Sequence, residues 1–194
     1  LYTKEMAGHS KWAQIKRQKA ATDAKKSQPF SKIARIITLA ARKGEKPEMN
    51  PDLRVVIEKA KAVNMPLDNI ERAIKRGAGK LEGAQLENVR FEAYGPGGVA
   101  IIIEGITNNK NRTVAEIKHI LSKNNLSLGQ TGSAIWAFEN KDNKPASPDE
   151  PASQGGWKPK HKVELNESDA KLLDKLLEEL DDHDDVQEIY TNAE

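Results

Sequence analysis

The residues best placed to do chemistry are cations. From His9 to Lys26 the chain reads HSKWAQIKRQKAATDAKK, where Lys11, Lys16, Arg17, Lys19, Lys25 and Lys26 face a single acid, Asp23, and one large aromatic, Trp12. Lys and Arg hold a phosphodiester backbone by displacing its condensed counterions, and an indole stacks on an unpaired base. So few apolar residues bury little surface, and the stretch reads as a basic arm, either helical from Trp12 through Ala24, where Ala, Lys, Gln and Arg favour helix, or ordered only when bound. Further cations follow at helical spacing, Arg54, Lys59 and Lys61 in one segment and Arg72, Lys75 and Arg76 in the next. A third place is Asn108-Asn-Lys-Asn-Arg-Thr113, where Lys110 and Arg112 stand at a predicted helix N-terminus. That arrangement receives a phosphate; the plainer reading is that the Asn residues cap the helix. These residues form the expected nucleic-acid-binding set, acting through backbone contacts.

The same inventory argues against catalysis. The four His, at positions 9, 119, 161 and 183, have no metal-ligand spacing, and no Ser-His-Asp constellation is visible. With no Cys, thiol nucleophiles, disulfides, Cys-bound zinc and iron–sulfur clusters are excluded, and a cytoplasmic location is expected. Gly95-Pro-Gly-Gly98 is followed by a strand and lacks a Lys-Ser/Thr pair, so it reads as a turn and not as a phosphate loop. The acids from Asp181 to Asp185 read as solvated carboxylates at a helix end. No catalytic residue, metal, cofactor or small-molecule substrate is expected. The longest aliphatic run, Val99 to Ile103, is too short to span a bilayer, which takes about 20 residues, so no membrane partner is expected either.

The elements that carry these residues divide the 194-residue chain by charge: residues 1–80 hold 19 Lys or Arg against 8 acids, and residues 81–194 hold 12 against 21. In the basic half, apolar spacing predicts helices over 29–43 (Phe30, Ile33, Ile37, Ala40, Ala41), from Asn50-Pro51 (Leu53, Val56, Ile57, Ala60, Val63) and over 67–76 (Leu67, Ile70, Ala73, Ile74). Lys32, Arg35 and Arg42 fall on the opposite side of the first. The glycines of 77–85 read as a hinge. Beyond it the period changes to 2. Val89, Phe91 and Ala93 alternate up to Tyr94, a turn leads into Val99 to Ile106, a helix runs to Lys123 with Val114, Ile117, Ile120 and Leu121 inward, and Ser133 to Phe138 reads as a strand. Residues 140–160, rich in Pro, Ser and Gly, read as a flexible linker. Lys162 to Leu165 then reads as a strand, Asn166 caps a helix with Leu172, Leu173, Leu176, Leu177 and Leu180 inward, and Val186 to Tyr190 closes as a strand. The expected fold class is α+β: a basic arm (1–28), a three-helix domain (29–79), and an antiparallel-sheet sandwich (80–139 and 161–194) with helices on one face.

Met6-Ala-Gly-His-Ser-Lys-Trp12, Ile15-Lys-Arg-Gln-Lys-Ala-Ala21, Asn64-Met-Pro-Leu-Asp-Asn-Ile-Glu-Arg-Ala-Ile-Lys-Arg76, Tyr94-Gly-Pro-Gly-Gly98, Asn108-Asn-Lys-Asn-Arg-Thr113 and Gly132-Ser-Ala-Ile-Trp136, in this order and spacing, resemble the YebC/PmpR family. The resemblance covers about Met6 to Glu139 and returns for Lys162 to Asn192. It implies a bacterial cytoplasmic regulator described as a DNA-binding transcriptional regulator; mitochondrial relatives activate translation, and bacterial ones are linked to ribosomes stalled at proline-rich stretches. Family members usually carry a third lobe between the strands matching Phe138 and Lys162, where this chain has only residues 140–160. Three readings therefore stand: a DNA-binding regulator of gene expression, a ribosome-associated factor binding rRNA or tRNA, and a protein-interaction module docking a partner on the acidic Leu-rich helix.

Overall fold

The computed structural model describes residues 27–83, 85–140 and 156–194. Residues 1–26 of the arm lie outside them, while Ser27 and Gln28 already belong to the first helix. Helix α1 (Ser27–Ala41) turns Ile37, Ala40 and Ala41 toward Leu53, Val56 and Ala60 of α2 (Pro51–Ala62) and Ile70 and Ala73 of α3 (Leu67–Gly77). Asn50 fixes the join. Its side-chain oxygen accepts the Leu53 N–H at 3.1 Å, and its amide donates to Ala40 O at 2.8 Å and Gly44 O at 2.7 Å, so one buried residue caps α2 and ties off α1. Val63 and Leu67, expected inside, are exposed, Leu67 at 64%. They flank the reversal at Asn64 (φ 59°) and Pro66, where the chain turns back and only Met65 reaches the core. Gly77 does more than open a hinge: a Cβ there would lie 2.2 Å from Thr38 O and 2.7 Å from the Ala41 Cβ, so the absent side chain lets α3 approach α1.

The α+β unit is built on β1 (Glu87–Tyr94) and β2 (Ala100–Thr107), joined by a turn in which Gly97 (φ 65°) and Gly98 (φ 78°) take the left-handed conformation. Helix α4 (Lys110–Lys123), the short strands β3 (Phe138–Asn140) and β4 (Trp157–Pro159), α5 (Glu167–Asp181) and β5 (Val186–Thr191) follow. The main sheet is antiparallel in the order β1-β2-β5, with Phe91 opposite Ile103 and Ile103 opposite Ile189. One face, carrying Val89, Phe91, Ala93, Ile101 and Ile103, packs against Ile117 and Leu121 of α4 and Leu173, Leu176, Leu177 and Leu180 of α5. Leu172, expected inward, is 50% exposed.

Several expectations are corrected on the other face of the sheet, which is not open. Ala100 and Ile102 are buried under Ala134, Ala137, Phe138 and Trp157, which explains why β2 is apolar at consecutive positions. Ser133 to Phe138 is not a strand: a 3-10 turn over Ile135–Ala137 precedes β3. Lys162 to Leu165 forms only a single parallel bridge, Val163 to Ala193. The strand that pairs with β3 is instead Trp157–Pro159, from within the stretch read as linker. Trp157 is the reason: its indole covers the sheet, donates to Glu104 Oε1 at 2.9 Å and lies under the Arg90 guanidinium, whose Cζ is 5.1 Å from the indole ring centroid. Residues 141–155 of that stretch lie outside the described residues. Glu92, a polar residue between Phe91 and Ala93, is buried, and its carboxylate accepts the backbone N–H groups of Gly132, Ala134 and Ile135 at 2.7–2.8 Å.

Candidate nucleic-acid interface

Lys11, Trp12, Lys16, Arg17, Lys19, Lys25 and Lys26 lie outside the described residues. The six cations expected on α2 and α3 are all exposed. On α3, Arg72, Lys75 and Arg76 stand three and four residues apart and share one stripe, opposite buried Ile70 and Ala73. On α2, Arg54 and Lys61 are two turns apart on a second stripe, with Lys59 displaced from it. Each set is grouped because the apolar residues of its helix are claimed by α1. Among the described residues, the one ion pair made by these six is Lys75 to Glu71 at 3.9 Å, with both side chains more than half exposed. Such a pair is weak and yields readily to a phosphate.

The loop before α4 behaves differently. Asn109 caps the helix, its Oδ1 accepting the Arg112 N–H at 3.1 Å, as in the plainer reading. Lys110 is exposed. Arg112 stays 43% exposed but is tied down, its guanidinium donating to Asp185 Oδ2 at 2.7 Å and standing 3.6 Å from Glu116 Oε2. Asp185 corrects the expectation that residues 181–185 are solvated: its side chain is 1% exposed. Its Oδ1 accepts from Arg35 Nη1, and its Oδ2 accepts from Thr113 Oγ1 at 2.7 Å as well as from Arg112. Burial alone pushes this carboxyl upward. The bonds from Arg35, Thr113 and Arg112 outweigh it and hold the group well below the usual carboxylate range. The same pairing raises the Arg112 pKa, the Asp185 hydrogen bond being the largest cause.

This carboxylate joins the two units. Arg35, from α1, also donates to Ile106 O at 2.7 Å, and Lys32, one turn earlier, donates to Asp181 O at 2.6 Å at the end of α5. Lys32 and Arg35 are therefore docking residues and not part of a solvated face. Nothing local marked them. The one hint of Asp185 is that the acid run continues past the helix end to Val186, the first residue of β5.

Glu116, His183 and Asp185 bring three donor atoms within 4.8 Å of one another, a spacing open to a metal ion. The donors are already engaged. His183 Nδ1 accepts the Asp185 N–H at 3.1 Å, which leaves the proton on Nε2 to be donated to Glu116 Oε2 at 2.9 Å. Both Asp185 oxygens are taken, two of the three donors being guanidinium groups that repel a cation. The residues fit an internal ion-pair network better than a metal. The cleft beside them, about 490 Å³, is lined by Glu116, Asp182, Asp184 and Asp185 against two Arg, an excess of acid that disfavours phosphate.

Comparison with known proteins returns a consistent result. The family model described as the TACO1/YebC protein N-terminal domain matches residues 10–80, and the one described as the TACO1/YebC second and third domain matches residues 86–144 and 145–193. A protein of Halothermothrix orenii named "Probable transcriptional regulatory protein" is 43% identical, the match covering 96% of this chain and 94% of the relative. One of the same name from Solibacter usitatus is 40% identical over 96% and 95%. The crystal structure of a conserved hypothetical protein from Aquifex aeolicus superposes with a TM-score of 0.78 at 34% identity, covering 90% of this chain and 93% of that one. The first alignment runs over 239 positions, more than the 194 residues of this chain, so this relative holds residues that have no counterpart here.

Proposed function

The chain belongs to the TACO1/YebC family, and we propose that it is a non-enzymatic, cytoplasmic regulator of gene expression that binds a nucleic-acid backbone, with duplex DNA as the first target to test. The observation that carries this reading is the contrast among its cations. Lys32, Arg35 and Arg112 are used internally against Asp181 and Asp185. Arg54, Lys59, Lys61, Arg72, Lys75 and Arg76 stay in water with one weak ion pair among them and the described residues. Exposed cations held by at most one weak ion pair, five of the six on two helical stripes, are what counterion release requires. The names of the relatives point the same way. The basic arm, with Trp12, extends this surface in the proposal, Lys110 stands at its margin, and Arg112 is left out because Asp185 holds it. Between β3 and β4 only residues 141–156 stand where the third lobe of the family is expected, leaving binding to the helical unit and the sheet domain.

The test is a titration of duplex DNA across salt concentrations by fluorescence anisotropy. Replacing Arg72, Lys75 and Arg76 together with Gln lowers the slope of log K against log salt by about 2 to 3, near 0.9 for each phosphate that is no longer neutralised. An unchanged slope refutes the assignment of this stripe. A parallel titration of structured ribosomal RNA decides the target: tighter binding to RNA at matched salt moves the function from transcription to translation.

A further inference from the structure

The loop before β3 presents an aromatic pair that the helical cations leave unexplained. Trp136 is 59% exposed, and Tyr94, at the end of β1, is 39% exposed. Neither ring hangs loose. The Trp136 Nε1–H donates to Tyr94 Oη at 3.0 Å and to Ser133 O at 2.8 Å, and the Tyr94 hydroxyl donates to the same carbonyl. Beneath them Glu92 clamps the loop through the N–H groups of Gly132, Ala134 and Ile135. An indole whose polar atom is satisfied internally, while its ring is held out in water, is a preorganised apolar face.

A lysine-bearing segment passes beside this loop. The Lys160 N–H donates to Ala137 O at 2.9 Å, so the run Lys158-Pro-Lys-His-Lys162 passes next to the chain neighbour of Trp136, in the half of the sequence that is otherwise acidic. Lys158 stands 3.7 Å from Glu139 and Lys162 2.9 Å from Glu194, whereas Lys160 is exposed and makes no ion pair with another described residue. We propose that Trp136, with Tyr94 and Lys160, is a stacking site for an unpaired base of an RNA strand, the indole taking the base and Lys160 the adjoining phosphate. The chemistry selects this occupant: a fixed aromatic face next to a free cation matches a flat base on an anionic backbone, and a duplex hides the faces of its bases whereas RNA loops and single strands expose them. Ala134 and Ala137, close to Trp136 in the chain, are buried and add no apolar surface to the two rings. The inference rests on the nucleic-acid reading above but uses a different surface.

The test measures binding of the full chain to a labelled 12-nucleotide U-rich RNA, the DNA strand of the same sequence and an RNA duplex. Trp136→Ala lowers affinity for the single-stranded RNA about tenfold, within the range of base–aromatic stacking, and changes duplex binding less than twofold. Trp136→Phe, which keeps a stacking ring, recovers most of the loss, and Lys160→Gln weakens binding and lowers its salt slope. If Trp136→Ala melts well below the parent, the Phe and Gln variants decide. Single-stranded RNA affinity that is unchanged in all three variants overturns the inference, as does an equal loss on the duplex or a preference for the DNA strand. Binding that responds to Arg72, Lys75 and Arg76 but not to Trp136 overturns this inference alone; a wild-type chain that binds none of the probes overturns the proposed function with it.

Discussion

Replacing Asp185 by Asn tests whether a single buried carboxylate holds the two units together. The change keeps the shape of the side chain but turns one acceptor oxygen into an NH2 group that faces a donor. Arg35, Arg112 and Thr113 lose their charge-assisted acceptor, and the buried charge that offsets two guanidinium groups is gone, Arg112 keeping only Glu116 at 3.6 Å. Breaking a buried ion pair from one side costs about 3–5 kcal/mol. Here the Arg35 and Arg112 side chains are 23% and 43% exposed and regain some hydration, so the lower end applies, about 3 kcal/mol. At roughly 2–4 °C per kcal/mol for a chain of this size, the melting temperature falls by about 6–12 °C. The sign with pH follows from the lowered carboxyl. Its contribution is fully present above the unfolded value, near 3.9, and is lost as pH falls toward the folded one. The difference between parent and variant in urea unfolding therefore stays constant from pH 8 to 5 and narrows below about pH 4. A difference under about 1 kcal/mol at pH 7, or one that does not narrow in acid, refutes the ionised latch.

Two further predictions concern packing. Gly77→Ala drives a methyl group against Thr38 O and the Ala41 Cβ, so α1 and α3 must separate; despite the better helix propensity of Ala, the variant loses about 1–3 kcal/mol in denaturant unfolding, and a gain in stability would disprove the close approach. Leu172→Asp, on the exposed edge of the Leu stripe, changes stability by less than about 0.5 kcal/mol, whereas Leu176→Asp, fully buried, abolishes the fold. If light scattering shows a multimer that Leu172→Asp dissociates, α5 is a docking face and the protein-interaction reading gains its support.

The elements legible from the residues alone are those governed by their neighbours. Asn50-Pro51, the alternatives Asn109 and Asn111, and Asn166 announce α2, α4 and α5 because a cap acts within three residues; Asn50, Asn109 and Asn166 are the side chains that accept the N–H. Helical periodicity located the cores under α1 and α5, and alternation located β1, because burial repeats with the geometry of the element itself. The exposed stripes Arg54/Lys61 and Arg72/Lys75/Arg76 follow from the same periodicity, since a helix that buries one side must show the other. Position along the chain could not reveal which charges are spent internally. Lys32 and Arg35 share a pattern with Arg42, yet the first two meet Asp181 and Asp185 about 150 residues away, a pairing no local period encodes. Glu92 sits in an alternating strand, and its burial depends on a loop 40 residues on that brings three N–H groups to its carboxylate. Trp157 was hidden among Pro, Ser and Gly because what orders it is the uncovered face of β2. Local spacing sets which face of an element is apolar, but the state of a charge or an isolated aromatic is set by whatever folds on top of it, and that depends on contacts between distant segments.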